Sequence, residues 1–164
     1  MVDLQIELLQ AMPLFGGINK ETLTFLLERS RIVSVPQGQY FFREGDPGNA
    51  LYILQEGEVA IIKSWQGQNY VLRQLKTGDA FGEMALIDLF PRSAAVRVTH
   101  NAKAIELTHD LLYDIYEKDL EQFTLIQMNV GRELSRRLRV ADELLFKAKM
   151  GKSVSADDQS FHAL

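Results

Sequence analysis

The sequence predicts a mostly β fold: an antiparallel β jelly-roll barrel with N-terminal helices before it and a long C-terminal helix after it. Three observations carry this. Apolar residues recur at helical spacing up to Ser30, alternate with a period of two from Ile32 to Thr108, and return to helical spacing beyond Thr108. Turn signals cut the central stretch into short segments at regular intervals, the pattern of an antiparallel barrel. The chain has 164 residues, 46% of them hydrophobic, enough for one packed domain and little more.

The elements follow in order. Asp3 is placed to cap a first helix with Leu4, Leu8 and Met12 on one side, which Pro13 ends. Asn19 is placed to cap a second helix, Lys20 to Arg29, whose stripe is Leu23, Leu26 and Leu27. Strands are expected at Ile32–Val35, Gln39–Arg43, Ala50–Gln55, Val59–Ser64, Tyr70–Leu75, Ala94–Thr99 and Lys103–Leu107. Between them stand Pro36-Gln37-Gly38, Gly45-Asp46-Pro47-Gly48, Glu56-Gly57, Gln66-Gly67 and Lys76-Thr77-Gly78-Asp79, each read as a turn. Thr108 caps a short helix through Leu111, Leu112 and Ile115. Asp119 with Gln122 resembles a capping box for a helix running to about Ala148. Along that helix Phe123, Val130, Leu134, Leu138, Ala141 and Leu145 form a seam, suited to packing on the barrel or on a second copy of the chain. The expected organisation is one domain, 1–150 (helical 1–30, barrel 31–108, C-terminal helices 109–149), and a flexible tail, 151–164.

Composition excludes several classes. With no cysteine, disulfides, iron–sulfur clusters and thiolate zinc sites are ruled out. His100, His109 and His162 lack ligand-like spacing, so no metal is expected. A formal charge of -4 and a pI of 5.4 argue against a surface built for nucleic acid. No apolar run reaches the roughly 18 residues of a membrane span, and no signal peptide is visible, so a cytoplasmic protein that does not engage membranes is expected.

The most informative run is Phe81 to Val98, which sets one acid, Glu83, and one arginine, Arg92, on either side of a short apolar turn. A planar guanidinium matches two oxygens of an anionic phosphate with two charge-assisted hydrogen bonds. Pro91 stiffens the approach of Arg92. Gly82 to Leu86 is expected to open a helical turn whose unpaired amides favour an anion. Ala85, Ser93 and Ala94 are small enough to let oxygens reach the backbone. Glu83 is the complementary part, because a carboxylate accepts from a sugar hydroxyl and repels a phosphate. Each residue alone has an ordinary structural reading, as a loop ion pair, a turn or a strand; the joint pattern points to a cyclic nucleotide.

On these residues, Phe81 to Val96 resembles the phosphate-binding cassette of the cyclic nucleotide-binding domains, found in catabolite activators, kinase regulatory subunits and nucleotide-gated channels. Met12-Pro13-Leu14-Phe15, Phe42-Arg43-Glu44-Gly45-Asp46 and Leu51-Tyr52-Ile53-Leu54 before Glu56-Gly57 extend the likeness to about residues 12 to 148. The resemblance implies that Glu83 binds the ribose 2′-hydroxyl, that Arg92 binds the phosphate, and that amides of Gly82, Ala85, Ser93 and Ala94 complete a cradle including Phe81 and Met84. It also implies that the helix around Leu138, Ala141 and Asp142 meets the base. In the activators the positions matching Ala141 and Asp142 carry hydroxyls that contact adenine. An acid at Asp142 is able to accept from guanine N1–H and N2–H, whereas adenine offers only its 6-amino group. Both purines stay open, with cAMP ahead of cGMP.

The expectation is a non-catalytic sensor of a 3′,5′-cyclic purine mononucleotide that relays binding through the C-terminal helix. It is expected to form a homodimer through that helix and to act on a downstream protein. The alternative is a dimerisation domain of the same fold that no longer binds nucleotide. A cupin-like metalloenzyme lacks its clustered histidines here. Arg132, Arg136, Arg137 and Arg139 interleave with Glu133, Asp142 and Glu143, the pattern of a solvated face. About sixteen residues follow Ala148, too few for a helix-turn-helix, so no nucleic acid partner is expected.

Overall fold

Two long strands form the spine of the fold. The structure is a computed structural model that describes residues 2–151. Its elements are α1 (Val2–Gln10), a 3-10 turn (Pro13–Phe15), α2 (Lys20–Arg29), β1 (Arg31–Val35), β2 (Tyr40–Phe42), β3 (Ala50–Trp65), β4 (Gln68–Lys76), β5 (Ala80–Phe81), α3 (Glu83–Asp88), β6 (Ala95–Thr108), α4 (His109–Lys118) and α5 (Leu120–Lys149). Of the expected tail only Gly151 falls within the described residues. Strands β3 and β6 pair antiparallel from Ala50↔Thr108 to Ile62↔Ala95.

Four expected strands are thus two. Glu56-Gly57, read as a turn, is a bulge inside β3, where the register against β6 shifts between Leu54 and Val59. Leu54 before the bulge and Val59 and Ile61 after it all face the same inner core, although they sit on opposite parities of the chain. The irregularity supplies that change of face, since side chains alternate sides at every residue of a regular strand. Gly57 makes it possible. Its φ is 87°, and a Cβ there would stand 2.2 Å from the Asn101 carbonyl oxygen.

The ladder runs β1-β6-β3-β4, with β2 paired to β6 and β5 paired to β3. The architecture is antiparallel β with flanking helices, as expected. The expected closure is not found: β1 and β4 end the path and do not pair with each other. Strand β5 escaped sequence analysis, being two residues long; it pairs Phe81 with Tyr52. Gln66-Gly67 is the expected turn, both residues at positive φ in a two-residue β3–β4 hairpin.

Helices cover one side of the sheet. Leu51, Ile53, Ile105 and Leu107 pack there against Leu9, Phe15, Leu23, Leu26, Ile115 and Ile126. The first helix buries Ile6 and Leu9 rather than Leu4, which is 72% exposed, and Leu8, which is half-buried; Met12, on the expected side, is buried. It begins at Val2, so Asp3 lies within its first turn rather than ahead of it. The other caps form as read. Asn19 Oδ1 accepts from Thr22 N at 2.8 Å, and Thr108 Oγ1 from Leu111 N at 3.3 Å. Asp119 Oδ1 accepts from Gln122 N at 3.1 Å, but Gln122 Oε1 accepts from Asn19 N at 2.8 Å. Half of the expected capping box is therefore spent on joining the starts of α2 and α5.

Only the first half of α5 is held against the body. Ile126, Asn129 and Val130 are buried, and Asn129 Nδ2 donates to the carbonyls of Leu14 (3.2 Å) and Gly16 (2.9 Å). Beyond Leu134 the expected seam leaves the protein: Leu138 is 62% and Leu145 54% exposed. Among the described residues no helix is long and apolar enough to cross a membrane. Gly57→Ala is expected to lose at least about 2 kcal/mol of unfolding free energy, because the strained backbone and the clash with Asn101 add. Urea unfolding measures this, and a loss below about 0.5 kcal/mol would show that the bulge does not need glycine.

Candidate functional site

The run from Phe81 to Val96 folds into one wall of a pocket. Strand β5 is followed by Gly82, at φ 85°, where a Cβ would stand 2.7 Å from Arg92 Nη1. Glu83 then opens α3, whose first turn no side chain caps. Leu89, at φ 58°, ends the helix, and the loop returns Arg92 to the same place before β6 begins. That loop is pinned by two backbone bonds, Arg92 N to Asp46 O (2.8 Å) and Gly45 N to Arg92 O (2.9 Å). The pocket holds about 450 Å³ of atom-free space, counting the part open to solvent. Phe81, Gly82, Glu83, Met84, Ala85, Arg92, Ser93 and Ala94 all line it, together with Phe42, Ile61, Arg73, Val96 and Arg137.

Arg92 and Glu83 are both buried, 5% and 7% exposed. The arginine is committed differently from expectation. Instead of presenting a free fork, Nη1 donates to Gly82 O at 2.9 Å and Nη2 to Ala50 O at 2.8 Å. Its Nε is buried without a hydrogen-bond partner, and the guanidinium lies over the Phe42 ring, 4.0 Å from the centroid. Burial pushes its pKa down, opposed by Tyr52, Glu83 and other nearby acids; arginine nonetheless stays charged at any physiological pH.

Glu83 accepts from Arg137 Nη1, and Arg137 Nε donates to Glu133 Oε1 at 2.8 Å. Sequence reading placed Arg137 on a solvated face, whereas it turns inward. The signal was available: Arg137 stands seven residues after Val130 and three after Leu134, one helical face with both. Arg73 was missed as well. It sits on β4, where sequence alternation gave no hint of a pocket, and its pKa is lowered by burial first and by Arg137 second. Asp79, close to both arginines, has its carboxyl pushed up by burial.

The pocket thus gathers three guanidiniums around one carboxylate, with Glu133 and Asp79 nearby. That arrangement suits a ligand with one delocalised negative charge and a neutral hydroxyl donor. Leu138, Ala141 and Asp142 are not brought to it. All three are exposed on α5, and Arg137 is the residue of that helix that lines the pocket. Among the described residues no cluster of three metal-ligating side chains occurs.

Comparison with known proteins agrees with this geometry. The sequence model of the cyclic nucleotide-binding domain matches residues 32–119. The cyclic AMP receptor protein of Thermus thermophilus is 33% identical over 131 residues, 79% of this chain and 59% of that one. A cAMP-dependent protein kinase regulatory subunit of Emericella nidulans is 33% identical over 102 residues, 62% of this chain and 24% of that one. The chain therefore spans well under two thirds of either relative. Among solved structures, a cyclic nucleotide-binding domain of Methylobacillus flagellatus superposes with a TM-score of 0.78 at 26% identity, covering 89% of this chain and 83% of that one. The regulatory domain of Toxoplasma gondii PKA, crystallised with cAMP, superposes with a TM-score of 0.66 at 30% identity, covering 70% of this chain and 44% of that one. With its cassette folded into one pocket and more than half its length matching the family's sequence model, this chain belongs to the cyclic nucleotide-binding domain family.

Proposed function

We propose that the chain is a non-catalytic sensor that reversibly binds a 3′,5′-cyclic purine mononucleotide, cAMP ahead of cGMP, and relays the binding through α5. One observation carries the reading. Glu83 and Arg92, nine residues apart in sequence, are both buried in one pocket, and the helix that leaves the body of the protein reaches into that pocket through Arg137.

The roles divide by charge. Arg92, with the uncapped first turn of α3, receives the cyclic phosphate; its unpartnered Nε is a donor ready for an acceptor. Glu83 accepts from the ribose 2′-hydroxyl. A carboxylate has lone pairs for two partners, so the sugar shares it with Arg137 or displaces it. Either outcome changes what holds α5, and a difference in ligand contacts between two helix arrangements is the free energy that shifts them. The preference for cAMP rests on the relatives described above, which are cAMP proteins by name or bound ligand; cGMP stays second because cGMP-dependent protein kinases match as well, at 35% identity.

The exposed half of α5 supports a homodimer. Leu138, Leu145, Phe146 and Met150 are each more than half exposed along it, a stripe that a second copy would cover. The proposed base contacts at Leu138, Ala141 and Asp142 lie on this same free half, so they meet the purine once α5 packs on the barrel or on a second copy. A downstream protein effector and a cytoplasmic setting complete the reading.

Two outcomes are expected. Arg92→Ala removes the buried cation that faces the phosphate and weakens cAMP binding at least about 100-fold in calorimetry; unchanged affinity would overturn the assignment of the pocket. Asp142→Ala, titrated with cAMP and with cGMP, should change the ratio of the two affinities. A constant ratio removes Asp142 from base recognition.

A further inference from the structure

Arg92 is held in two separate ways. Its tips are tied to the carbonyls of Gly82 and Ala50. Its guanidinium carbon lies over the Phe42 ring, 4.0 Å from the centroid, with the Tyr52 ring further off at 5.9 Å. Gly48 lies close by: a Cβ there would stand 2.8 Å from Arg92 Nε and 2.4 Å from the Ala85 Cβ. Nothing larger than glycine at that position leaves room for the arginine and α3 together.

The aromatic platform is itself anchored. Phe42 packs 6.0 Å from both Tyr52 and Phe81, which stack on each other at 5.4 Å and 19°. The Tyr52 hydroxyl donates to Glu106 Oε1 at 3.0 Å, and Arg31 holds the other oxygen of Glu106 through Nε (2.9 Å) and Nη2 (2.5 Å). Burial and that carboxylate push the Tyr52 phenol up to about 12, so the hydroxyl stays protonated and donates. The rings cannot easily tilt while this clamp is in place.

The geometry points to Phe42 as the positioning residue for Arg92: its ring is the platform on which the guanidinium lies, and Gly48 is the opening that lets it lie there. This rests on the proposed reading of the pocket as an anion site. A stacked guanidinium keeps its charge and all of its N–H donors while its plane is fixed. When an anion competes for the Nη groups, the tips leave the carbonyls of Gly82 and Ala50 while the plane stays where it is. An aliphatic side chain at position 42 would fill the same core space without attracting the cation. Phe42 therefore contributes to affinity through Arg92 and not merely as a wall of the pocket.

The test follows the Arg92 Nε–H resonance by NMR in the whole chain, labelled with ¹⁵N-arginine and assigned with Arg92→Lys. In the wild type the signal should lie upfield, shielded by the Phe42 ring, and exchange slowly with water. Phe42→Leu should move it downfield, speed its exchange and weaken cAMP binding about tenfold, while Phe42→Tyr restores all three. Gly48→Ala approaches from the other neighbour and should displace the same signal with the ring intact, which keeps the test open if Phe42→Leu does not fold. An unmoved resonance in Phe42→Leu or in Gly48→Ala overturns the proposal. So does a loss of affinity in Phe42→Leu without a change in the resonance, which would make Phe42 a wall only. A wild type that shows the shielded signal yet binds no cAMP would uphold the platform and refute the functional reading instead.

Discussion

A single buried guanidinium organises the site. Arg92 cannot leave the interior of the pocket without abandoning two backbone carbonyls, on Gly82 and Ala50, that belong to different elements. A buried charge is costly unless it is well partnered, and removing a partner costs more than the pair contributes. The surrounding sequence meets that demand: glycines at 48 and 82 where a Cβ would collide, an aromatic face at 42, and a loop pinned to Gly45 and Asp46. The cassette is therefore built around the arginine before any ligand is considered. The unpartnered Nε is a loose end of this arrangement, and it belongs to the residue that the proposed ligand needs.

The second organising contact crosses from α3 to α5. Glu83, Arg137 and Glu133 form a chain from the pocket wall to the helix, and Arg137 lies close to the point at which α5 parts from the protein body. Residues before it pack on the core through Ile126, Asn129 and Val130; none of the described residues after it is buried. A contact at that boundary has leverage. In the proposed relay, a change in the hold of Glu83 on Arg137 acts on the free half of the helix, with little disturbance to the buried half.

Much of this was legible from residue patterns, for physical reasons that also explain the failures. Caps were readable at Asn19, Thr108 and Asp119 because a short polar side chain ahead of an apolar stripe has few other uses. The pocket wall was readable as one place because Gly82, Glu83, Ala85, Arg92, Ser93 and Ala94 lie within a short run, and they do line one pocket. Glu56-Gly57 misled because glycine at positive φ serves a bulge as well as a turn, and the two differ only in where the chain goes next. The face of α1 misled because Leu4-Leu8 and Ile6-Leu9 both have helical spacing; the body of the protein, not the helix, chose between them. Arg137 was hidden among three other arginines on the same helix, and Arg73 by a strand that is exposed apart from it and Leu75. Long-range partners decide such residues, and a linear pattern does not contain them.

The central claim is that this pocket is built for the cyclic phosphate of a purine nucleotide. Calorimetric titration of the chain with cAMP and, in parallel, with 5′-AMP tests it most directly, because the two share base and ribose and differ in the ring and charge of the phosphate. The account predicts saturable binding of one cAMP per chain and at least tenfold weaker binding of 5′-AMP. Equal affinity for the two, or no heat from either with the protein folded, would contradict it.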